Sequence, residues 1–457
     1  MRHTITSDDK FVQMTQTPVE RLVMRLALPS MLSMLITSVY NMADTYFVGQ
    51  LGTRQTAAVG VIFSLMSIIQ ALGFLFGHGS GNFMSRRLGA QDTDAAGSMA
   101  TTGFVSSLLA GALVTVLGFT LLHPMVRVMG ATETIAPYAE QYAAYILAAA
   151  PFMTASFTLN NQLRYQGNAF FGMIALCTGA ILNIALDPLF IFTLDMGVSG
   201  AALATAVSQV VGFILLVWGT TQGGSMRVNP LKFKPVRRQY REIVRGGMPS
   251  LWRQGLQALA VIALNHAAKL SGDEAIAAFS IVMRITGLLF ASMLGFGQGF
   301  QPVCGFNYGA ALYPRVKRAF RFSVTAATGV LLAVCAACFI FSGPIVSLFR
   351  RDDAEVIRIG AQALRYQLIP YPLLGFTTLA AMMTQTIGRS ARASVLAAAR
   401  QGIFFFPLIL ALPPLLGLEG VMLTQPAADV LAFILSVWII RPILKEMSAR
   451  TTGATDE

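Results

Sequence analysis

Long apolar runs, separated by short polar stretches rich in glycine, proline and charge, recur along the chain from 22 to 440. Each run is about 20 residues long, the length a helix needs to cross roughly 30 Å of hydrocarbon. The runs are continuous, whereas a lipid-facing barrel strand must alternate polar with apolar side chains, so helices are predicted. Twelve are expected, near 21–49, 55–82, 95–122, 134–161, 165–193, 197–221, 242–268, 275–306, 316–341, 356–386, 391–415 and 418–441. The fold class that follows is an all-α integral membrane protein, with the lipid bilayer as its solvent. Residues 1–20 form a polar tail with no apolar core, so no cleavable signal is expected and the tail stays inside.

The pattern repeats. A shift of 220 residues lays Pro29 of L-P-S-M-L on Pro249 of M-P-S-L-W, Gly52 on Gly272, Gly77 and Gly79 on Gly297 and Gly299, and Gly89-Ala90 on Gly309-Ala310. It also lays Pro124 on Pro344, Gly200 on Gly420, and the F-I-L-L-V-W ending at Trp218 on the F-I-L-S-V-W ending at Trp438. One offset held across six helices marks two copies of one unit. Six is even, so both copies enter the membrane from the same side as parallel repeats, the arrangement in which two bundles rock about a central cavity. The predicted organisation is a tail 1–20, an N-lobe 21–221, a linker 222–241, a C-lobe 242–445 and a tail 446–457. Glycines four apart, Gly73, Gly77 and Gly81, and Gly295 with Gly299, predict close helix packing.

Composition agrees: 55% of the 457 residues are hydrophobic and 12% charged, too apolar for an ordinary soluble domain. The net charge of +12 raises nucleic acid as a partner, but the basic residues sort by loop. One set of connections holds Arg86, Arg87, Arg164, Arg227, Lys232, Lys234, Arg237, Arg238, Arg241, Arg245, Arg315, Lys317, Arg318, Arg321, Arg389 and Arg392, which is 16. The other holds Arg54, Arg127, Lys269, Arg350, Arg351 and Arg358, which is 6. The excess places both termini in the cytoplasm, and the expected location is a bacterial inner membrane. Cys177, Cys304, Cys335 and Cys338 lie in apolar surroundings and read as small buried hydrophobes, with no metal expected of them.

An ionisable residue within a span is a functional candidate by default. Asp187 lies deep in the fifth predicted span and Asp44 toward the outer end of the first. Asn183, four residues before Asp187, shares its helix face. Pro188 has no N–H to give to the carbonyl of Ile184, which leaves a further backbone oxygen for water or an ion. A carboxyl so placed carries a proton when neutral and attracts a cation when ionised, and competition at one site is the simplest antiport. In the second half, Arg253, Arg284, Arg365 and Arg400 lie within or near spans and Asp429 lies in the last, which predicts an ion pair between Asp429 and one of these arginines. His78 and His266 read as packed or interfacial histidines.

At these residues the chain resembles the multidrug and toxic compound extrusion (MATE) family over nearly its whole length. The resemblance rests on D-x-x-F-V-G-x-L-G from Asp44 to Gly52, Arg87-Leu88-Gly89-Ala90, N-x-x-x-D-P from Asn183 to Pro188, and G-A-A-L-A-T from Gly200 to Thr205. It implies two six-helix bundles in a V, and export of amphiphilic, often cationic, organic compounds against Na⁺ or H⁺. It implies a cation site on Asp44, Asn183, Asp187 and Thr205, and substrate contacts at Tyr40, Tyr142 and Asn160. The chain departs from the pattern in the C-lobe. Some members carry coupling acids in the seventh and tenth helices, where this sequence has Arg253, Gln254 and Arg365.

The competing reading is a flippase for a lipid-linked or anionic head group, which would line its cavity with cations. An enzyme is not expected, since the chain has neither H-E-x-x-H nor G-x-S-x-G. None of its six lysines follows a glycine, so it has no G-x-x-x-x-G-K-[ST] loop for ATP, and no ATPase subunit is expected either. The coupling ion, H⁺ or Na⁺, takes the place of a cofactor, and a monomer is expected to suffice.

Overall fold

The computed structural model describes residues 7–222, 228–229, 233–269, 272–350 and 353–452. Gly223, Gly224, Arg227 and Lys232 of the linker, Arg351, and the outermost residues of both tails lie outside the described residues. Everything regular within them is helix. The first half contains α1 (Ser7–Gln16), α2 (Val19–Gly49), α3 (Thr53–Gly89), α4 (Thr93–Thr120), α5 (Leu122–Val128), α6 (Ala136–Tyr165), α7 (Ala169–Pro188) with a π turn over Leu189–Thr193, and α8 (Gly197–Gly219). The second half contains α9 (Arg237–Lys269), α10 (Asp273–Gly309), α11 (Tyr313–Ile340), α12 (Ser342–Ser347), α13 (Ala354–Leu368), α14 (Leu374–Thr386), α15 (Ser390–Ala398) with a π turn over Ala399–Ile403, α16 (Phe405–Leu416) and α17 (Leu418–Thr452).

Ten helices among the described residues are long and apolar enough to cross a membrane. The two further predicted spans fall short for different reasons. The stretch 237–269 carries Arg237, Arg238, Arg241, Arg245 and Arg253, whereas 354–386 is divided into helices of 15 and 13 residues, each too short to span. The latter also corrects a prediction, because 356–386 is not one helix. Pro370 and Pro372 each lack the N–H that would continue the ladder, so α13 stops at Leu368 and a 3₁₀ turn over Tyr371–Leu373 leads into α14.

The counterpart in the first half, α6, keeps Pro151 inside an unbroken helix. The carbonyl that Pro151 strands is that of Leu147, and Thr115 of α4 donates to it at 2.6 Å. A neighbouring hydroxyl thus restores the lost bond, as a kinked membrane helix requires. This support matters because α6 is the axis of the first half, packing against α3, α4, α7 and α8. Its approach to α3 is set by Gly73, Gly77 and Gly81, which face Phe157, Asn161 and Tyr165. A Cβ on each would fall 2.5, 2.9 and 2.1 Å from those side chains, so the predicted small-residue face is a real notch.

The chain divides into two compact units. Unit one comprises Met1–Thr17 and Leu28–Gly247, and unit two Pro18–Ala27 and Met248–Glu457. The boundaries at 27/28 and 247/248 are again 220 apart, each just ahead of Pro29 and Pro249. Backbone geometry repeats as well: Gly52 and Gly272, Gln91 and Ala311, and Gly197 and Gly417 all have positive φ. Trp218 and Trp438, matched by the offset, are both exposed, as interfacial anchors are.

Candidate functional site

The site predicted from the first half lies wholly within unit one, where four helices supply it. Helix α7 places Asn183 and Asp187 one turn apart, both buried, and ends in the π turn that starts at Leu189. Helix α8 comes in against that turn at Gly200, where a Cβ would lie 2.7 Å from the Phe190 backbone, and the close approach brings Thr205 alongside α7. The Asn183 amide then bridges the helices, donating to Asp187 Oδ1 at 3.5 Å and to Thr205 Oγ1 at 3.3 Å. Both contacts exceed the usual range of about 2.7–3.2 Å, so the oxygens retain capacity for another partner. From α2, Asp44 lies within electrostatic range of Asp187, and Tyr40 lies within range of both acids. From α6, buried Tyr142 lies against Thr205 and within range of Asp44 and Asp187.

The cluster gathers several unused oxygens in one place. Asp44 Oδ1, Asn183 Oδ1, Asp187 Oδ2 and Tyr142 Oη are all buried without a hydrogen-bond partner. Neither carboxylate has an ion-pair partner among the described residues. Buried polar atoms are normally satisfied, and buried acids normally paired, so such a group is a place for a ligand. An all-oxygen set of carboxylate, amide and hydroxyl fits a hard cation such as Na⁺ or a proton, the two ions the family resemblance implies.

Of the predicted contacts, Asn160 is not brought into the cluster. It makes no hydrogen bond to the acids, and its side-chain oxygen faces Gly172 of α7. Two residues of α8 went unpredicted. Ser208 is buried with its hydroxyl unpartnered, and Gln209 meets the Tyr40 hydroxyl. They stand three and four positions after Thr205, a helix-face spacing that could have flagged them. Elsewhere, His78 is buried with its Nδ1 3.0 Å from the Tyr165 hydroxyl, and His266 is exposed.

The MatE family profile matches residues 29–189 and again 249–410, one match per half, starting 220 residues apart. The chain belongs to the MatE family. Its members are transporters rather than enzymes, and the chain is accordingly a multi-pass membrane protein. Among the similar proteins, the multidrug export protein MepA of Staphylococcus haemolyticus (strain JCSC1435) is 26% identical over 436 residues, covering 95% of this chain and 96% of the relative. MepA of Staphylococcus aureus (strain MRSA252) is 27% identical over 440 residues, covering 95% and 97%. A solved structure described as the outward-facing conformation of a multidrug resistance MATE family transporter superposes with a TM-score of 0.90 at 29% identity, covering 96% of this chain and 98% of that one. A transporter from Pyrococcus furiosus Vc1 superposes with a TM-score of 0.89, also at 29% identity and with coverage of 96% and 98%. For that protein a binding pocket of reversed polarity suggests a different function. In a MatE protein, therefore, the charge of the pocket has to be read residue by residue.

Proposed function

We propose that this protein exports amphiphilic organic cations across the bacterial inner membrane in exchange for H⁺ or Na⁺, with both termini cytoplasmic. In this reading the lobes 21–221 and 242–445 work by alternating access. The observation that carries the reading is the pair of acids, half-buried Asp44 with a buried Oδ1 and fully buried Asp187, beside unpartnered oxygens of Asn183 and Tyr142 and with no basic partner among the described residues. Two like charges in a low-dielectric site repel, and an H⁺ or Na⁺ relieves the repulsion. Once ionised and empty, the same acids attract an organic cation, and Tyr40 and Tyr142 offer it aromatic faces. Ion and substrate thus compete for one charge set, which is sufficient for antiport. One charge crossing about 100 mV gains roughly 2.3 kcal/mol, enough to hold a concentration ratio of about 50-fold. The relatives named as multidrug exporters support the substrate class, and the 16 to 6 distribution of basic residues supports the orientation.

A lipid-linked anionic head group is disfavoured at this site, because its walls carry acids. The test is efflux of a fluorescent lipophilic cation from proteoliposomes, first under a pH gradient and then under a Na⁺ gradient, for wild type and Asp187→Asn. Gradient-driven efflux in the wild type that Asp187→Asn removes is the expected result. Undiminished efflux in the variant would sink the assignment.

A further inference from the structure

The second unit holds a cavity of its own. It has a volume of about 110 Å³, room for several waters or a small solute, and its walls come from α9, α10, α13, the π turn at Ala399–Ile403, α16 and α17. Arg400, on that π turn, lines it. Such turns interrupt the helix ladder and are common where a side chain has a task.

The guanidinium is held from behind. Its Nε donates to Asp429 Oδ1 at 2.7 Å, Gln425 Nε2 donates to the same oxygen at 2.7 Å, and Asp429 is fully buried. Phe290 lies under the cation at 5.1 Å and Tyr371 at 6.0 Å. The Tyr371 ring is fixed in turn, because its hydroxyl donates to the Thr286 carbonyl at 2.6 Å. Asp429 therefore engages one edge of the guanidinium only. Among the described residues no protein acceptor takes a hydrogen bond from its two Nη atoms, and they are not sealed in protein. Gln257, Gln367 and Gln401 add amides to the wall and Phe290, Tyr371 and Phe405 add aromatic rings.

A rigid guanidinium with two adjacent terminal N–H groups unspent is a fork matched to a carboxylate, and aromatic walls favour a ring behind that carboxylate. We propose that the C-lobe cavity is a second ligand site, which binds the carboxylate of a small aromatic acid through the Nη edge of Arg400. Asp429 and the rings of Phe290 and Tyr371 position the guanidinium, and the ligand makes the contact Asp429 leaves open. The site is chemically the converse of the acidic cluster in the N-lobe and stands independently of the antiport reading.

Calorimetric titration and thermal-shift measurement of the purified full-length protein with benzoate test it, with benzamide as the neutral isostere and chloride at matched ionic strength. Benzoate is expected to bind saturably and at least about 10-fold more tightly than benzamide, the scale of a charge-assisted pair of hydrogen bonds. Arg400→Lys, which keeps the charge and loses the fork, should weaken benzoate about 10-fold. Arg400→Gln with Asp429→Asn should abolish binding, and Asp187→Asn should leave it unchanged. Equal binding of benzoate and benzamide, an equal effect of chloride, or full affinity in Arg400→Lys would each overturn the proposal. The comparison of benzoate with benzamide needs no variant, so poor folding of the double substitution does not protect the idea. Loss of benzoate binding in Asp187→Asn would move the site to the N-lobe and overturn it too.

Discussion

Where the first half of the chain has Thr205 and Gln209, the second has Gln425 and Asp429 at the 220-residue offset, and where the first has Asp44, Asn183 and Asp187, the second has Leu264, Ile403 and Pro407. The backbones answer each other closely, down to matched positive-φ positions, although the π turns differ in place, at Leu189–Thr193 in one half and Ala399–Ile403 in the other. The buried charges do not. Among the described residues, one half keeps two acids with no ion-pair partner, and the other keeps an acid neutralised by Arg400 at 2.7 Å. A repeat conserves what backbone packing requires, the glycines and prolines at helix contacts and turns, and leaves the polar lining free to diverge. On the proposed reading the N-lobe takes its counter-ion from outside, whereas the C-lobe acid has Arg400.

The largest effect that would break this contrast lies in the C-lobe. Asp429→Asn strands a largely buried guanidinium and should lower stability by about 3 kcal/mol, whereas adding Arg400→Gln should recover most of the loss. Denaturant unfolding of the single and double variants in the same detergent measures both, and additive losses would mean that the pair is not coupled. Next comes Asp187→Asn. It should leave the fold intact and reduce gradient-driven efflux about 100-fold, or about 2.7 kcal/mol of coupling, while the double C-lobe variant retains gradient dependence. Efflux lost equally in both would erase the distinction between the lobes.

A smaller effect separates the unbroken α6 from its divided counterpart. Thr115→Val removes the donor to the Leu147 carbonyl and should cost about 1–3 kcal/mol in thermal stability, with Thr115→Ser close to wild type. The smallest effect concerns α1, for which the described counterpart residues, 228–229 and 233–236, form no helix. Burial pushes the Lys10 ammonium down to about 7, its Nζ lying 3.5 Å from the Gln166 carbonyl. An undocked lysine titrates near 10.4. Below pH 7 it is charged in both states, and between about pH 7 and 10 the undocked state binds more protons, so docking strengthens as pH rises. Hydrogen-exchange protection of α1, corrected for intrinsic rate, should grow across that window in wild type and stay flat in Lys10→Met.

Much of the acidic cluster was legible because its key pair is local. Asn183 and Asp187 are four residues apart, and helix geometry alone puts them on one face. The bridge from Asn183 to Thr205 was not legible by that route, because it spans two helices and depends on how closely Gly200 lets α8 approach. Ser208 and Gln209 carried only the faint signal of sharing a face with Thr205. The ion pair of Asp429 was foreseeable as a kind of contact, since an unpaired acid is unstable in a span. Its partner was not. Of the four arginines considered, Arg284 and Arg365 are exposed, Arg365 donates to Ser342 Oγ at 2.7 Å, and it is Arg400 that reaches Asp429.

By itself the sequence determined the solvent, the helices and the duplication, because bilayer thickness, backbone satisfaction and a fixed offset all act through local pattern. It also determined that the N-lobe acids had to mean something, since charge within a span is never free. Only the tertiary structure decided which groups meet across helices, that two prolines break one span while a borrowed hydroxyl rescues another, and that one edge of Arg400 is spent and the other open. Those outcomes depend on rotations and approaches of a few tenths of an ångström between elements far apart in the chain, and no local pattern encodes them.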